Sequence, residues 1–478
     1  MKKASLLISL TCLIAFFTQA QEEEKYTVEV EVNGLKDTAV YMAYYYGKGQ
    51  YYRDTAYFNE KGIAVFSKND SLEHGMYSIF LKKAKLFDFM VDVQELSFKT
   101  DTSNYVGRME VKGGNENKIF FDYLKYLNEQ QVVATNLRNK LKSADEKEKK
   151  KIEEELLSLD KQVKKYISNL HEKHQGTLTS NFIRALDYPE VPEAPKNEDG
   201  TIDSTFEYKY FKAHFFDNID FTDGRLVRTS VFHERIDYYL DKLTYQNTDS
   251  IIKSVDYILE KSSASPELFR YSLSYLTSKY ERSERMGMDA LFVHLGKNYF
   301  MKGKAKPWFS DKQLEKLTER VEALEPLLIG KKAPNIVVKD TAMKQFLQLY
   351  DIKAKYTIVY IWSPECGHCK KATPKLRDLY HKVKDQGVEV FAVGNEFENE
   401  EWLRFIQKHK LDWINGSDGN DFTSNFRTLY DVYSTPQTYL LDEDKKILAK
   451  KISIEALEDI LNYYMEKDKK APENSDEK

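Results

Sequence analysis

The sequence predicts a chain of several folded parts: an N-terminal antiparallel β-sandwich, a central all-α domain and a C-terminal α/β fold with a mixed sheet. Length is the first reason, since 478 residues exceed one hydrophobic core and fit about three domains. The second is hydrophobic period. It is two from Tyr26 to about Lys112, changes to steps of three and four after Gly113-Gly114-Asn115, and becomes alternating strand-like and helix-like runs after Glu325-Pro326. The expected boundaries are 1–20 for a cleaved leader, 21–112 for the β-sandwich, 113–326 for the helical domain, 327–467 for the α/β domain and 468–478 for a disordered charged tail.

Met1-Lys2-Lys3-Ala4-Ser5, the apolar run Leu6 to Phe17 and the small Ala20 before Gln21 describe a secretory signal peptide cleaved after Ala20. The run is too short to span a bilayer, and no later apolar run reaches spanning length. Cleavage removes Lys2 and Lys3, leaving 70 basic against 76 acidic residues, which excludes a basic nucleic-acid footprint. It also removes Cys12, so Cys366 and Cys369 become the only cysteines. An exported chain whose two thiols share one Cys-x-x-Cys uses them for exchange rather than as staples. Zinc would need two further ligands, and no second Cys pair or paired His cluster supplies them, so no metal is expected.

In the β region Tyr26, Val28, Val30 and Val32 share one face while Thr27, Glu29 and Glu31 share the other. Asn33-Gly34, Glu60-Lys61-Gly62 and Glu73-His74-Gly75 mark turns around strands at Ile63 to Phe66, Tyr77 to Leu81 and Phe87 to Val91. Tyr44, Tyr45, Tyr46, Tyr51 and Tyr52, beside Gly47 and Gly49, either pack within strands or form a platform for a sugar or peptide. The helical region begins with a hairpin over 116–173, with a capping-box pattern at Ser143-Ala144-Asp145-Glu146. Its second helix carries the stripe Ile152, Leu156, Leu159, Val163, Ile167 and Leu170, which fits a seam against Leu124, Leu127, Leu137 and Leu141 upstream. His171 and His174 stand one turn apart as solvated helix-end residues, and Arg228, His233 and His294 read as core-edge packing. A proline-containing acidic loop follows over Asp187 to Asp203, then helices at Ile251 to Lys261, Pro266 to Tyr280, Asp289 to Phe300 and Asp311 to Leu324.

The chemistry sits in the last region. Tyr356-Thr357-Ile358-Val359-Tyr360-Ile361 reads as a buried strand, and after Trp362-Ser363-Pro364-Glu365 the run Cys366-Gly367-His368-Cys369 opens a helix ending near Val383. Free N–H groups and the helix dipole at a first turn favour a thiolate, so Cys366, outermost, is the expected nucleophile. Cys369, three residues on and on the same face, is the expected resolving thiol. His368, when charged, further favours sulfur carrying negative charge and shifts the pair toward a better oxidant.

These residues resemble the thioredoxin superfamily, and within it the TlpA-like thiol:disulfide oxidoreductases of the bacterial envelope. Trp362 before the first cysteine, Pro374 after the second and Pro436 in Tyr433-Ser434-Thr435-Pro436-Gln437 match the family's positions, as does the phrase Gly330-Lys331-Lys332-Ala333-Pro334. Cys-Gly-His-Cys is similar to the centre of protein disulfide isomerase. The resemblance implies a redox-active Cys366–Cys369 disulfide, a cis-proline at Pro436 and no cofactor. It departs from thioredoxin at Tyr360, where thioredoxin has a buried Asp, leaving Glu365 or Glu396 as substitute proton acceptors. The β region and the helical region each resemble domains of unknown function that precede such envelope domains.

The implied activity is thiol–disulfide exchange with protein clients in the periplasm or cell envelope, modulated by Trp362, Glu365, Gly367 and His368. Clients would dock at Thr435 and Pro436. The TlpA-like resemblance favours a reductase fed by a membrane electron donor, while His368 favours a more oxidising poise. The alternative function is an envelope binding protein whose β and helical domains grip a peptide or glycan, with the redox domain as sensor.

Overall fold

The computed structural model of the chain describes residues 25–196, 198–395, 399–418 and 424–470. The expected leader with Cys12, Glu396 and the chain after Lys470 lie outside the described residues. The chain divides into two compact units, one up to Asp237 and the other Tyr238–Lys478. This division falls inside the stretch expected to be one helical domain.

In the first unit, eight strands form two sheets: β1 (Tyr26–Asn33), β2 (Ala39–Tyr46), β3 (Gly49–Tyr57), β4 (Ile63–Lys68), β5 (Gly75–Leu81), β6 (Ala84–Val91), β7 (Glu95–Asp101) and β8 (Glu110–Lys112). Their orders are β4-β1-β7-β8 and β3-β2-β5-β6. Tyr26, Val28, Val30 and Val32 are fully buried, as alternation requires of a strand covered on one face. Phe87 and Phe89 on β6 meet Phe98 on β7 at 5.7 and 4.9 Å between ring centroids. One expectation needs correction: the region is not wholly antiparallel. β1 and β7 pair in parallel, Thr27 opposite Glu95 through Asn33 opposite Asp101. The chain visits the other sheet between them, and a period-two pattern reveals a strand's face without its direction.

Gly113 and Gly114 turn the chain at φ of +85° and +68°, where a Cβ on Gly113 would stand 2.2 Å from the Glu95 carbonyl oxygen. Helices α1 (Glu116–Leu141) and α2 (Glu146–Lys173) then form the expected hairpin. Leu137 and Ile152, Leu159 and Leu170 are buried, and Tyr126 stacks on Tyr166 at 3.8 Å. The cap of α2 lies two residues beyond the expected Ser143: Asp145 accepts from the N–H groups of Lys147 and Glu148, and the Glu148 carboxylate accepts from the Asp145 N–H. α1 packs on the sheets through Phe121, 6.3 Å from Phe87, and through the Asn117 amide, bonded to the N–H and carbonyl of Met90. The unit continues with α3 (Leu178–Leu186), a long loop, α4 (Phe206–His214), a 3-10 turn at Gly224–Arg228 and the start of α5 (Val231–Lys242).

The second unit holds α6 (Thr248–Ser262), α7 (Pro266–Glu281), α8 (Asp289–Leu295) with a π turn at Gly296–Phe300, and α9 (Asp311–Leu324) with a 3-10 turn at Glu325–Leu327. A seven-stranded mixed sheet follows in the order β10-β9-β13-β12-β11-β14-β15. Its strands are β9 (Val337–Asp340), β10 (Phe346–Gln348), β11 (Tyr356–Trp362), β12 (Val388–Gly394), β13 (Ile414–Ser417), β14 (Gln437–Leu441) and β15 (Ile447–Lys450). Its helices are α10 (Gly367–Val383), α11 (Asn399–His409), α12 (Phe426–Leu429) and α13 (Ile454–Lys470). β11 is buried along its whole length: Ile358, Tyr360 and Trp362 face a core shared with α10 and α13, and Val359 and Ile361 face one with Leu327, Phe426 and Tyr430. The short β10 and β13 carry no sequence signal of their own. α13 runs beyond the expected Lys467 end, because Asp468 accepts from the Tyr356 hydroxyl at 2.5 Å and pairs with Lys355 at 3.0 Å.

Candidate active site

β11 ends at Trp362, and a short turn delivers the cysteines to the start of α10. The Cys366 N–H donates to the Ser363 carbonyl at 3.3 Å, and the Glu365 N–H to the Ser363 hydroxyl at 3.1 Å. Cys366 is the N-cap of α10, with extended backbone, and its sulfur accepts from the Cys369 N–H at 3.4 Å. It therefore occupies the place where a helix offers unpaired N–H donors and positive potential.

Both cysteines are free thiols, Cys366 half-buried and Cys369 fully buried. Burial opposes ionisation of Cys366, but the side chains of Thr435 and Cys369 and the backbone amides of Cys369 and His368 outweigh it and bring the thiol below its ordinary value. Burial pushes the Cys369 thiol up to about 12. One sulfur is thus prepared to ionise and the other to hold its proton.

Across from α10, the Cys366 thiol donates to the Thr435 carbonyl at 3.0 Å, and the Thr435–Pro436 peptide is cis. That carbonyl partners the protonated thiol; once the proton leaves, the N–H donors of α10 remain to hold the charge. Beside them lies an open groove of about 640 Å³ lined by His368, Lys371, Lys375, Tyr433, Thr435 and Pro436, among others. The structure thus brings Cys366, Cys369, His368, Thr435 and Pro436 together.

The other expected site residues fall differently. Trp362 is wholly buried, stacked on Tyr360 at 6.3 Å and tilted against Phe405 at 5.1 Å, so it supports the site from the core. Gly367 is exposed, and a Cβ there would meet open space, so no steric demand selects glycine at this position. Glu365 is exposed, and its carboxylate has no partner among the described residues. Where thioredoxin has its buried Asp, the Tyr360 hydroxyl pairs with Thr373 Oγ1 at 2.9 Å, and that hydroxyl donates to the Cys369 carbonyl at 2.9 Å. Burial pushes the Tyr360 phenol above its ordinary range, so the pair is neutral. Sequence reading missed Thr373, thirteen residues from Tyr360, because only the packing of α10 on β11 joins them.

His171 bonds Ser180 Oγ at 2.8 Å and His174 caps α2, while His233 lies by Asp237 at 3.1 Å and His294 by Asp256 at 2.8 Å. His171, His233 and His294 each pair with a neighbouring side chain, while His174 acts through its backbone N–H, bonded to the Leu170 carbonyl.

Residues 329–450 match the AhpC/TSA family, and residues 143–326 match a domain of unknown function, DUF5106. The thiol-disulfide oxidoreductase ResA of Bacillus cereus is 30% identical over 139 residues, spanning 29% of this chain and 78% of that protein. ResA of Bacillus subtilis is 29% identical over 141 residues, spanning 30% and 76%. Among solved structures, a domain of a possible thiol-disulfide isomerase from Cytophaga hutchinsonii is 44% identical, covering 30% of this chain and 98% of that one with a TM-score of 0.29. With a dithiol at a helix tip, with residues 329–450 matching the AhpC/TSA family and with ResA of Bacillus cereus 30% identical over 78% of its length, the chain belongs to the thioredoxin-like thiol-disulfide oxidoreductases.

Proposed function

We propose that this chain is an exported reductase of the bacterial periplasm or cell envelope that exchanges disulfides with protein clients through Cys366 and Cys369. The observation that supports the exchange step of this reading is the opposed state of the two thiols, one lowered and half-exposed, the other buried and raised to about 12; the reducing direction and the envelope location follow from the family resemblance. In the reducing direction the Cys366 thiolate attacks a client disulfide sulfur; the client S–S bond breaks, its leaving sulfur takes up a proton, and a mixed disulfide forms. Cys369 then loses its proton and attacks Cys366 Sγ, and the second client sulfur departs as a thiol. The client gains two electrons and the chain holds a Cys366–Cys369 disulfide. A membrane electron donor returns the two electrons.

His368, at the groove, tunes the thiolate electrostatically, and the client backbone docks along Thr435 and Pro436. Trp362 acts through packing, Gly367 leaves the approach to Cys366 open, and Glu365 contributes charge at the rim. The domain order is leader 1–20, β-sandwich 21–112, helical domain 113–326 and thioredoxin-like domain from 327. Amino-terminal sequencing of the exported protein should begin at Gln21.

A second reading, peptide or glycan binding by the upstream regions, draws support from Tyr51, Tyr52 and Tyr57 on the β2–β3 hairpin, exposed by 48, 64 and 71%. Insulin reduction by the purified protein and by Cys366→Ala separates the two. Loss of activity in the variant, with loss of its cellular phenotype, supports exchange. A phenotype fully retained by Cys366→Ala would favour binding.

A further inference from the structure

Arg320 lies one turn before the end of α9, within the stretch that matches the domain of unknown function. The helix end is fixed in place: Leu327 is buried in the core with Val359, Tyr430 and Tyr439, and its carbonyl accepts from Lys450 Nζ, which also pairs with Asp289 at the start of α8. From this anchored helix the Arg320 guanidinium does two things. It pairs with the Asp431 carboxylate, whose side chain is only 3% exposed, and it lies 4.9 Å over the ring of Tyr433. A planar guanidinium suits both tasks at once.

Asp431 begins the loop that reaches the dithiol. Its backbone is left-handed at φ of +51°, its carbonyl accepts from Gln437 Nε2 at 3.1 Å, and its second carboxylate oxygen has only Lys451 Nζ, 3.8 Å away. Four residues on, the Thr435 carbonyl meets Cys366 Sγ at 3.0 Å. Tyr433, between them, is 81% exposed and forms the groove wall, with Arg320 as its stacking partner. A buried carboxylate needs a counterion held in place, and Arg320 supplies it.

We propose that Arg320 is a positioning residue for the dithiol: through Asp431 and Tyr433 it holds the loop ending at Thr435 against Cys366, which makes the domain of unknown function a working part of the redox centre. The inference rests on the exchange reading above for its client arm, but its thiol arm does not. A groove wall held in place costs less ordering when a client binds, and a catalytic contact displaced by a fraction of an ångström loses rate steeply.

The test uses the full mature chain with Arg320→Met, Arg320→Lys and Asp431→Asn, each checked for folding by circular dichroism. Two quantities are read: the pH midpoint of Cys366 alkylation, and kcat and KM for insulin reduction. Arg320→Met should move the alkylation midpoint away from the wild-type value, since the Thr435 carbonyl that accepts from the Cys366 thiol and the Thr435 side chain that favours the thiolate leave together with the loop, and should lower kcat/KM for insulin by about tenfold or more. Asp431→Asn should shift both in the same direction, and Arg320→Lys, which keeps the charge but not the planar stack, should recover part of each. A folded Arg320→Met with the wild-type midpoint and kcat/KM overturns the proposal. Should Arg320→Met fail to fold, wild-type midpoints in both Arg320→Lys and Asp431→Asn overturn it equally. Failure of the wild-type protein to reduce insulin would sink the exchange reading, while the alkylation midpoints would still decide whether Arg320 positions the loop.

Discussion

The chain builds β-sheet twice, on opposite plans. In the first unit β1 shows one face to a core, reading buried, half-buried, buried along Tyr26–Asn33. In the second unit β11 is buried at every position because helices cover both faces. A sheet covered on one side has a broad surface to offer, and here the exposed tyrosines of the β2–β3 hairpin stand on it. A sheet covered on both sides has only its strand ends, and the thiols occupy one of them. Surface on one sheet and chemistry at the tip of the other is the division of labour the two plans permit.

The sharpest way to break this contrast is to remove one group from each plan. Cys366→Ser at the strand end should cut insulin reduction on the order of a thousandfold, since no other described thiol is accessible, whereas Tyr52→Ala on the open sheet should leave it within about twofold. Equal losses in a turbidity assay would erase the distinction. Stability offers a second comparison. Ile358→Ala, in the doubly covered β11, should cost about 2–5 kcal/mol in a denaturant titration followed by tryptophan fluorescence. Val65→Ala on β4, 48% exposed, should stay within about 0.5 kcal/mol by circular dichroism, and a cost as large as that of Ile358 would mean its face is covered after all.

A smaller effect concerns the polar pair inside the doubly covered sheet. Tyr360→Phe removes one hydroxyl while Thr373 keeps its bond to the Cys369 carbonyl, so the loss should be about 0.5–1.5 kcal/mol. A neutral pair does not take the thiol's proton, and the pH dependence of insulin reduction should keep its shape in this variant. A displaced profile would make Tyr360 part of the proton path.

Much of the second sheet was legible because its signals are local. Six apolar or β-branched residues before Trp362, a Cys-x-x-Cys at the helix start and Pro436 before an apolar strand place the centre without any long-range information. The β11, β12 and β14 strands and the end of α10 fall where the periodicity puts them. What stayed hidden is what only folding brings together. The Tyr360–Thr373 bond joins residues on two elements, and Arg320 and Asp431 stand 111 positions apart. The parallel pairing of β1 with β7 was invisible for a related reason: alternation gives a strand's face, and its neighbour is chosen by the whole chain path. The capping box of α2 shows the local limit, since Asp145 and Ser143 are equally good caps by composition and the backbone chose the later one.

The central claim is that the two thiols are electrostatically opposite, and limiting alkylation of the reduced protein, resolved by mass spectrometry across a range of pH, tests it most directly. The account predicts that the peptide carrying Cys366 is modified first, with a midpoint below that of a free cysteine, and that Cys369 stays unmodified until far more alkaline conditions. Modification of Cys369 as fast as Cys366, or a Cys366 midpoint at the ordinary thiol value, would contradict it.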